Sequence, residues 1–454
     1  MTLAQAAVAT AGELCGADVR FEGVCTDSRA VSRGDLFVAL RGERYDGHQF
    51  IDSAAAAGAV AALVDRGHAK ASTAAIPQAV VADTTVALGA LAAHWRRRFD
   101  IPLIAVAGSN GKTTVKEMIA ACLRAHFGEA AVHATRGNLN NHIGVPLTLL
   151  ALKAEHRAAV VEIGMNHPGE TAQLAEIAAP TVALVNNAQR EHQEFMRSVA
   201  EVAEEHASLI RALPPQGVAV FGADDAYAGL WRKAAGARVV RDFGLQAGAA
   251  VRGLCTLRPD SSLISLTLPE ATVEFELPLP GEHNVRNALA AIAAATAVGA
   301  TLQACVQALG RFSPVKGRLQ VRAGVRGMTL IDDTYNANPD SVRAAIDVLA
   351  RATGRRLLVL GDMGEVGTQG TTFHEEAGAY ARAAGIDALY ALGDLAAAAA
   401  RAFGSGARHY LRIEDLLADL RQVPDPQTTM LVKGSRFMQM ERVVRSLERT
   451  DAGA

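Results

Sequence analysis

Seven consecutive residues, Gly108-Ser109-Asn110-Gly111-Lys112-Thr113-Thr114, constrain this chain more than any other stretch. The apolar run Leu103-Ile104-Ala105-Val106-Ala107 before them reads as a buried parallel strand. After them, Val115, Met118, Ile119 and Cys122 recur at helical spacing. A strand, a glycine turn and a helix in that order are the context in which backbone N–H groups curl around a polyphosphate. Lys112 is placed to reach the outer phosphates, and the Thr113 hydroxyl to ligate a divalent cation. The common form of this loop begins with a glycine where the chain has Val106. The plain alternative is a glycine turn without a ligand.

Such a junction predicts an α/β fold, and 454 residues suggest about three domains. Half the residues are hydrophobic, enough for sizeable cores. The net charge of −2, with no basic stripe, argues against nucleic acid as a partner. Cys15, Cys25, Cys122, Cys255 and Cys305 are scattered, never in a CxxC pair, which argues against a zinc cluster or disulfide framework and fits a reducing cytoplasm. The first residues lack a basic segment, and the alanine-rich stretches are too short to span a bilayer, so neither a signal peptide nor membrane insertion is expected.

Residues 1–98 read as a small α/β unit, with strands at 35–40, 60–64 and 79–82 and helices at 51–57 and 86–95. Its polar cluster Thr26-Asp27-Ser28-Arg29 fits an ordinary turn or a ligand contact equally. Residues 99–312 carry the glycine loop, the donor-rich stretch 135–144 containing Asn138, and Glu162 at the end of an apolar strand. A carboxylate there needs an ion-pair partner or a metal. A further strand, 181–185, opens into a polar run ending at His192, which is either structural or functional. Residues 263–268 and 272–277 alternate like an antiparallel hairpin, and Asn284 either caps the helix after it or reads a base edge. Residues 313–454 restart a Rossmann-like strand–helix alternation, with strands at 328–331, 357–360, 388–392 and 430–432. The helix after Pro339 is expected to be capped by Asp340 or Ser341.

Taken together, several motifs resemble the Mur ligase family, the ATP-dependent amino-acid ligases of peptidoglycan precursor synthesis. They are Thr26-Asp27-Ser28-Arg29, the loop 108–114 in the family's own form, the run 137–146, Glu162-Ile163-Gly164-Met165-Asn166, Glu282-His283-Asn284 and Gly317-Arg318. The runs 332–339 and 361–365 resemble the D-alanyl-D-alanine-adding branch, and the Asp-Asn-Pro-Arg signature of the diaminopimelate-adding branch is absent. The resemblance implies three α/β domains: 1–98 for a UDP-linked precursor, 99–312 a central ATPase with a mainly parallel sheet, and 313–454 a Rossmann-like unit for the incoming amine.

It also implies a reaction in which UDP-N-acetylmuramoyl-tripeptide is activated by ATP as an acyl phosphate and joined to D-alanyl-D-alanine, in a monomer using two Mg²⁺ ions. Lys112, His192 and Arg318 would be catalytic, and Gly108, Ser109, Asn110, Gly111, Lys112, Thr113, Thr114, Asn284, Arg318 and Asp332 would bind the nucleotide. Thr113, Glu162 and His192 would hold metal, and Ser28, Arg29, Asn138, Tyr335, Asn336 and Asn338 would contact substrates. A sister ligase with another amino acid, or a phosphate-loop kinase of a small metabolite, are the competing readings.

The family usually carries a carbamylated lysine after the His192 loop. Counting from His192, that position is His206, and no lysine lies between Lys153 and Lys233. Either Glu204 or Glu205, oriented by His206, does part of the carbamate's work, or these residues are a plain solvated face of a helix. Separate domains also lead one to expect Asp332 and Asn336 far from Lys112 in the unliganded chain.

Overall fold

The computed structural model describes residues 1–69, 76–269, 271–423 and 425–449. They form mixed α/β structure around four sheets.

The first sheet runs in the order Glu13–Cys15, Gln78–Val81, Ala61–Asp65, Asp35–Val38, Gly23–Cys25. Only Glu13–Cys15 is antiparallel. Its inner strands are covered on both faces, which is why they read as unbroken apolar runs. Leu36, Val38 and Leu63 meet Leu3, Leu88 and Leu91 on one side. Phe37, Ala62 and Val64 meet Ile51 and Ala54 on the other.

The second sheet has six parallel strands, in the order Val239–Val240, Val218–Phe221, Val182–Val185, Leu103–Ala107, Ala158–Glu162, Val132–Ala134. Leu103–Ala107 is central. Ile104 and Val106 face the helix Lys112–Phe127 through Val115, Met118 and Ile119. Leu103, Ala105 and Ala107 face the opposite layer with Leu174 and Val202. From this strand the chain goes to the edge at Val132–Ala134, returns through Ala158–Glu162 and then crosses to Val182–Val185 on the other side. The strand order reverses here, so the crevice beyond its carboxyl end is a topological switch point, where open parallel sheets collect ligands.

A small sheet follows: Phe243–Gly244, Val251–Leu257, Ser262–Leu268, Ala271–Leu277. The expected hairpin is present, with Leu263 opposite Glu276 and Leu266 opposite Val273. Val251–Leu257 joins it as an unanticipated third antiparallel strand. The inner face, including Ile264, Leu266 and Leu277, shares a core with the helix Glu282–Ala297. The residues from Ala288 to Ala295 in that helix are all fully buried. Its many alanines let it pack closely against both the hairpin sheet and the helix Lys112–Phe127.

The last sheet runs Gln320–Ala323, Thr329–Asp333, Thr428–Lys433, Arg355–Gly361, Ala388–Leu392, Ala407–Tyr410, with only the first strand antiparallel. Apolar layers cover both faces. Among the described residues, no helix is long and apolar enough to cross a membrane.

Candidate active site

The glycine loop adopts the backbone that its sequence demands. Gly108 and Gly111 lie at φ +134° and +82°, in the left-handed region that side chains disfavour. A Cβ on Gly111 would come within 2.6 Å of Asn287 Oδ1 and 2.7 Å of Asn186 Nδ2. Asparagines at the end of Val182–Val185 brace the loop from behind. Asn186 Nδ2 donates to the Asn110 carbonyl at 2.8 Å, and Asn187 Oδ1 accepts from Asn110 N–H at 2.9 Å. No side chain caps the sixteen-residue helix Lys112–Phe127. Its first N–H groups and its dipole are therefore available to an anion.

Around the loop lies a cavity of about 660 Å³, walled by the central unit and by the unit that follows Gly317. Ser109 to Thr114, Glu162, His192, Asn284, Arg318, Tyr335, Asn336 and Asn338 all line it. Thr113 Oγ1 donates to Glu162 Oε1 at 3.2 Å and accepts from Arg318 Nη2 at 2.8 Å. Asn140 Nδ2 also donates to Glu162 Oε1, at 2.8 Å. Glu162 is only 2% exposed, and its other oxygen, Oε2, has no hydrogen-bond partner among the described residues. A buried, unpartnered carboxylate oxygen beside a threonine hydroxyl at a phosphate loop is a donor set suited to a hard divalent cation.

His192 sits at φ +48°, a strained position for a non-glycine residue. Its Nδ1 lies 2.6 Å from Glu365 Oε2 of the last unit, and its Nε2, 3.7 Å from Glu191 Oε2, is the nitrogen that could hold a ligand. The contact with His192 is the main reason the Glu365 carboxyl is held below its ordinary value, against a smaller opposing effect of burial. Arg318 lies 4.1 Å from the centre of the Tyr335 ring, so its guanidinium is held in place by stacking as well as hydrogen bonding.

Several expected residues take other roles. Asp332 is buried and accepts from the Thr334 hydroxyl at 2.7 Å, and it does not line the cavity. Alternation along the strand instead turns Asp333 toward the cavity, where it pairs with Lys433 at 2.6 Å. The helix Pro339–Leu349 is capped not by Asp340 or Ser341 but by Asn338, whose side chain accepts from Ser341 N–H. Asn338 Nδ2 also donates to Asn110 Oδ1 at 2.9 Å, so it joins the cap to the phosphate loop. Asn138 is exposed outside the cavity, and Asn140 and Asn141 of the same stretch line it. Ser28 and Arg29 lie in a turn and do not line the cavity, and Asp27 holds Arg29 through two side-chain hydrogen bonds at 2.9 and 2.7 Å. That pairing brings the exposed Asp27 carboxyl down to about 2.

Neither glutamate expected beside His206 reaches the site. Glu204 is exposed and pairs with Arg211. Glu205 is buried and accepts from the N–H groups of Gly169 and Thr171 at 2.8 and 2.7 Å, capping the helix Glu170–Ala178. His206 instead contacts Glu191, with Nε2 3.1 Å from Oε1. Glu191 also meets Lys112 Nζ at 3.2 Å. Burial acts to raise the Glu191 carboxyl, but Lys112 foremost, then His206 and His192, bring it down to about 2. The sequence signal for Glu191 was its place next to His192, in a run otherwise read only for the histidine.

The expected separation of the last unit from Lys112 is not seen. Asn110–Asn338, Thr113–Arg318 and His192–Glu365 all bridge the two units. Arg190 adds a fourth bridge, to Asp340 and Glu376, each at 2.7 Å. These polar pairs form only when the units are closed together.

Fold and site together define a phosphate-loop enzyme whose reaction chamber is completed by a second α/β unit. Family models for the Mur ligase family catalytic domain, the Mur ligase middle domain and the Mur ligase glutamate ligase domain match residues 20–97, 106–295 and 317–436. The chain is 42% identical to the UDP-N-acetylmuramoyl-tripeptide–D-alanyl-D-alanine ligase of Escherichia coli, over 99% of this chain and 98% of that one. The crystal structure of MurF from Acinetobacter baumannii superposes with a TM-score of 0.90 at 36% identity, covering 98% of both chains. MurF ligase from Thermotoga maritima, solved in complex with ADP, gives 0.82 at 27% identity over 94% of this chain and 96% of that one. The chain belongs to the Mur ligase family.

Proposed function

We propose that this chain is the ATP-dependent ligase that joins D-alanyl-D-alanine to UDP-N-acetylmuramoyl-tripeptide, completing the peptide of the peptidoglycan precursor. One observation carries the reading: in a chain alike over its whole length to ligases of that name, the phosphate loop and the run 333–338 wall a single cavity. Residues 1–98 hold the UDP-linked substrate, through Ser28 and Arg29, in this reading. Residues 99–312 take ATP and residues 313–454 the amine. The enzyme works as a monomer in the cytoplasm.

The tripeptide's terminal carboxylate oxygen attacks the γ-phosphorus of ATP, and the bond to the bridging oxygen breaks to release ADP. The amine of D-alanyl-D-alanine then attacks the acyl carbon, phosphate leaves, and the amine gives up its proton. Phosphoryl transfer needs positioning and charge neutralisation more than covalent help. Lys112 and the N–H groups opening the helix Lys112–Phe127 neutralise the transferring phosphoryl group. Arg318, fixed by Thr113 and Tyr335, adds charge from the amine-binding side, so neutralisation is complete only in the closed molecule. Asn284 serves the adenosine, and Asp332, turned away from the cavity, only fixes the strand end that brings Asp333 to it. Tyr335, Asn336 and Asn338 border the amine, and Asn138 helps position the stretch that carries Asn140.

The donor set at Glu162, Thr113 and His192 fits Mg²⁺, which supplies charge neutralisation and alignment of the phosphates when bound. Two ions suit the two ends of this set.

The test is direct. Purified protein with ATP, Mg²⁺, UDP-linked tripeptide and D-alanyl-D-alanine is expected to give a product heavier by the dipeptide less water, by mass spectrometry. ADP formation without that product would favour the kinase reading.

A further inference from the structure

Glu191 is a charged side chain that the proposed reaction leaves without a task. It is 6% exposed, and its two oxygens are engaged differently. Oε1 faces His206 Nε2 at 3.1 Å. Oε2 faces Lys112 Nζ at 3.2 Å and His192 Nε2 at 3.7 Å. His206 is 1% exposed and comes from the helix Val199–Arg211, behind the site. A carboxylate accepts only, so His206 presents Nε2–H to it, and its Nδ1 has no hydrogen-bond partner among the described residues. Burying a carboxylate and an imidazole together is costly unless the pair holds something in place.

The surroundings say what that is. Oε2 is surrounded by an ammonium and an imidazole nitrogen, so its position attracts cations. The bare Nε2 of His192 points to the same place. Glu162 stands across the loop beside Thr113. Two buried carboxylates therefore flank the phosphate loop, one beside its threonine and one beside its lysine. Mg²⁺ prefers oxygen, and an anionic oxygen fixed by an outer hydrogen bond is its usual protein ligand.

We propose that Glu191, oriented by His206, is the anionic ligand of the second divalent cation in this chain. This rests on the ligase reading only in requiring a nucleotide at the loop. A bound nucleotide would offer Lys112 its phosphate oxygens in place of Oε2, and Glu191 and His192 would then hold the cation. His206 is a positioning residue, holding Oε1 so that Oε2 faces inward. The arrangement needs no lysine and no carbamate.

Bound Mn²⁺, counted by electron paramagnetic resonance with a non-hydrolysable ATP analogue, tests this without turnover. The wild-type chain is expected to bind two Mn²⁺ ions, with affinities indifferent to added or depleted bicarbonate. Glu191→Gln is expected to keep one ion at wild-type affinity and to bind the other at least tenfold more weakly. His206→Gln is expected to weaken the same ion by a smaller factor, and Glu204→Gln neither. Should Glu191→Gln fail to fold, Glu191→Asp replaces it, and the same selective loss is expected from the withdrawn carboxylate. Two ions bound at wild-type affinity by the folded Glu191 variant would overturn the proposal, as would a bicarbonate requirement in the wild type. Because the wild type is assayed separately for product, failure of the ligase reading and failure of this assignment remain distinct outcomes.

Discussion

At the scale of single residues, the loop gives Lys112 a fixed place. Its ammonium spans from the Gly108 carbonyl to Glu191, so it is held at the mouth of the helix rather than free in solvent. Losing one preorganised charge of this kind costs about 3–4 kcal/mol, or roughly a hundred- to thousandfold in turnover. Lys112→Ala is expected to lose that much in kcat while keeping its melting temperature within a few degrees. A folded variant with near-normal turnover would remove Lys112 from the mechanism. His133 offers a separate, purely structural test. Its ring is buried, with Nε2 2.7 Å from the Thr148 carbonyl. Burial is the main cause that lowers it to about 4, from an ordinary 6.5. The unfolded chain therefore binds a proton between those values that the folded chain refuses. Stability contributed by the neutral ring is fully present above pH 6.5 and declines as the pH falls toward 4, by up to about 3 kcal/mol. His133→Gln keeps a donor for Thr148 without a titrating ring. Its melting temperature is expected to fall less steeply than the wild type's between pH 6.5 and 4, and parallel curves would refute this origin.

At the scale of elements, what the sequence revealed depended on how local the cause was. The strands Leu103–Ala107 and Ala388–Leu392 were legible to the residue, because burial on both faces leaves an apolar run bounded by polar turns. The third strand of the hairpin sheet was not. Val251–Leu257 contains Gly253 and Thr256, and only its partner Ser262–Leu268 makes it a strand. The glycine loop, Glu162 and Arg318 were visible as motifs. Glu191 was not, because its meaning comes from His206, on a helix fifteen residues further on. The cap of Pro339–Leu349 was misplaced although its signal was present: proline favours the first helical position, which puts the cap on the residue before it. Asn338 exchanges hydrogen bonds with Ser341, in a reciprocal cap. Asn338→Ala is expected to lower stability by about 1 kcal/mol, the ordinary worth of such a cap. It also removes the contact with Asn110, so KM for D-alanyl-D-alanine is expected to rise. Ser341→Ala spares that contact and should lower stability alone. Equal kinetic effects from the two variants would show that the Asn110 contact contributes nothing.

At the scale of the whole molecule, the active cavity belongs to no single unit. Its phosphate-loop wall is fixed by the central sheet and the facing wall by the last sheet, and the polar bridges between them decide whether the two coincide. Arg190 is the broadest of these. It pairs with Asp340 and Glu376 while lying 5.2 Å from the Phe373 ring centre. Hydrogen bonding to Asp340 is the main cause that raises Arg190 above its ordinary value. Arg190 and Asp340 keep about a quarter of their surface in solvent and Glu376 about half, so solvent screening leaves the clasp worth about 1 kcal/mol. That is a roughly fivefold shift in a two-state balance, too little to lock the molecule and enough to bias it. A reactive acyl phosphate must be shielded from water once formed, which requires closure, yet product must leave, which requires opening. A weak clasp serves both needs. Arg190→Ala is therefore expected to enlarge the radius of gyration of the free protein in small-angle scattering. Saturating nucleotide and both substrates are expected to restore compaction, since His192–Glu365 and Thr113–Arg318 remain. The same variant is expected to release more phosphate per amide formed, because a chamber open for longer admits water to the intermediate. An unchanged scattering profile together with unchanged coupling of phosphate release to amide formation would show that Arg190 merely decorates an interface held by other contacts.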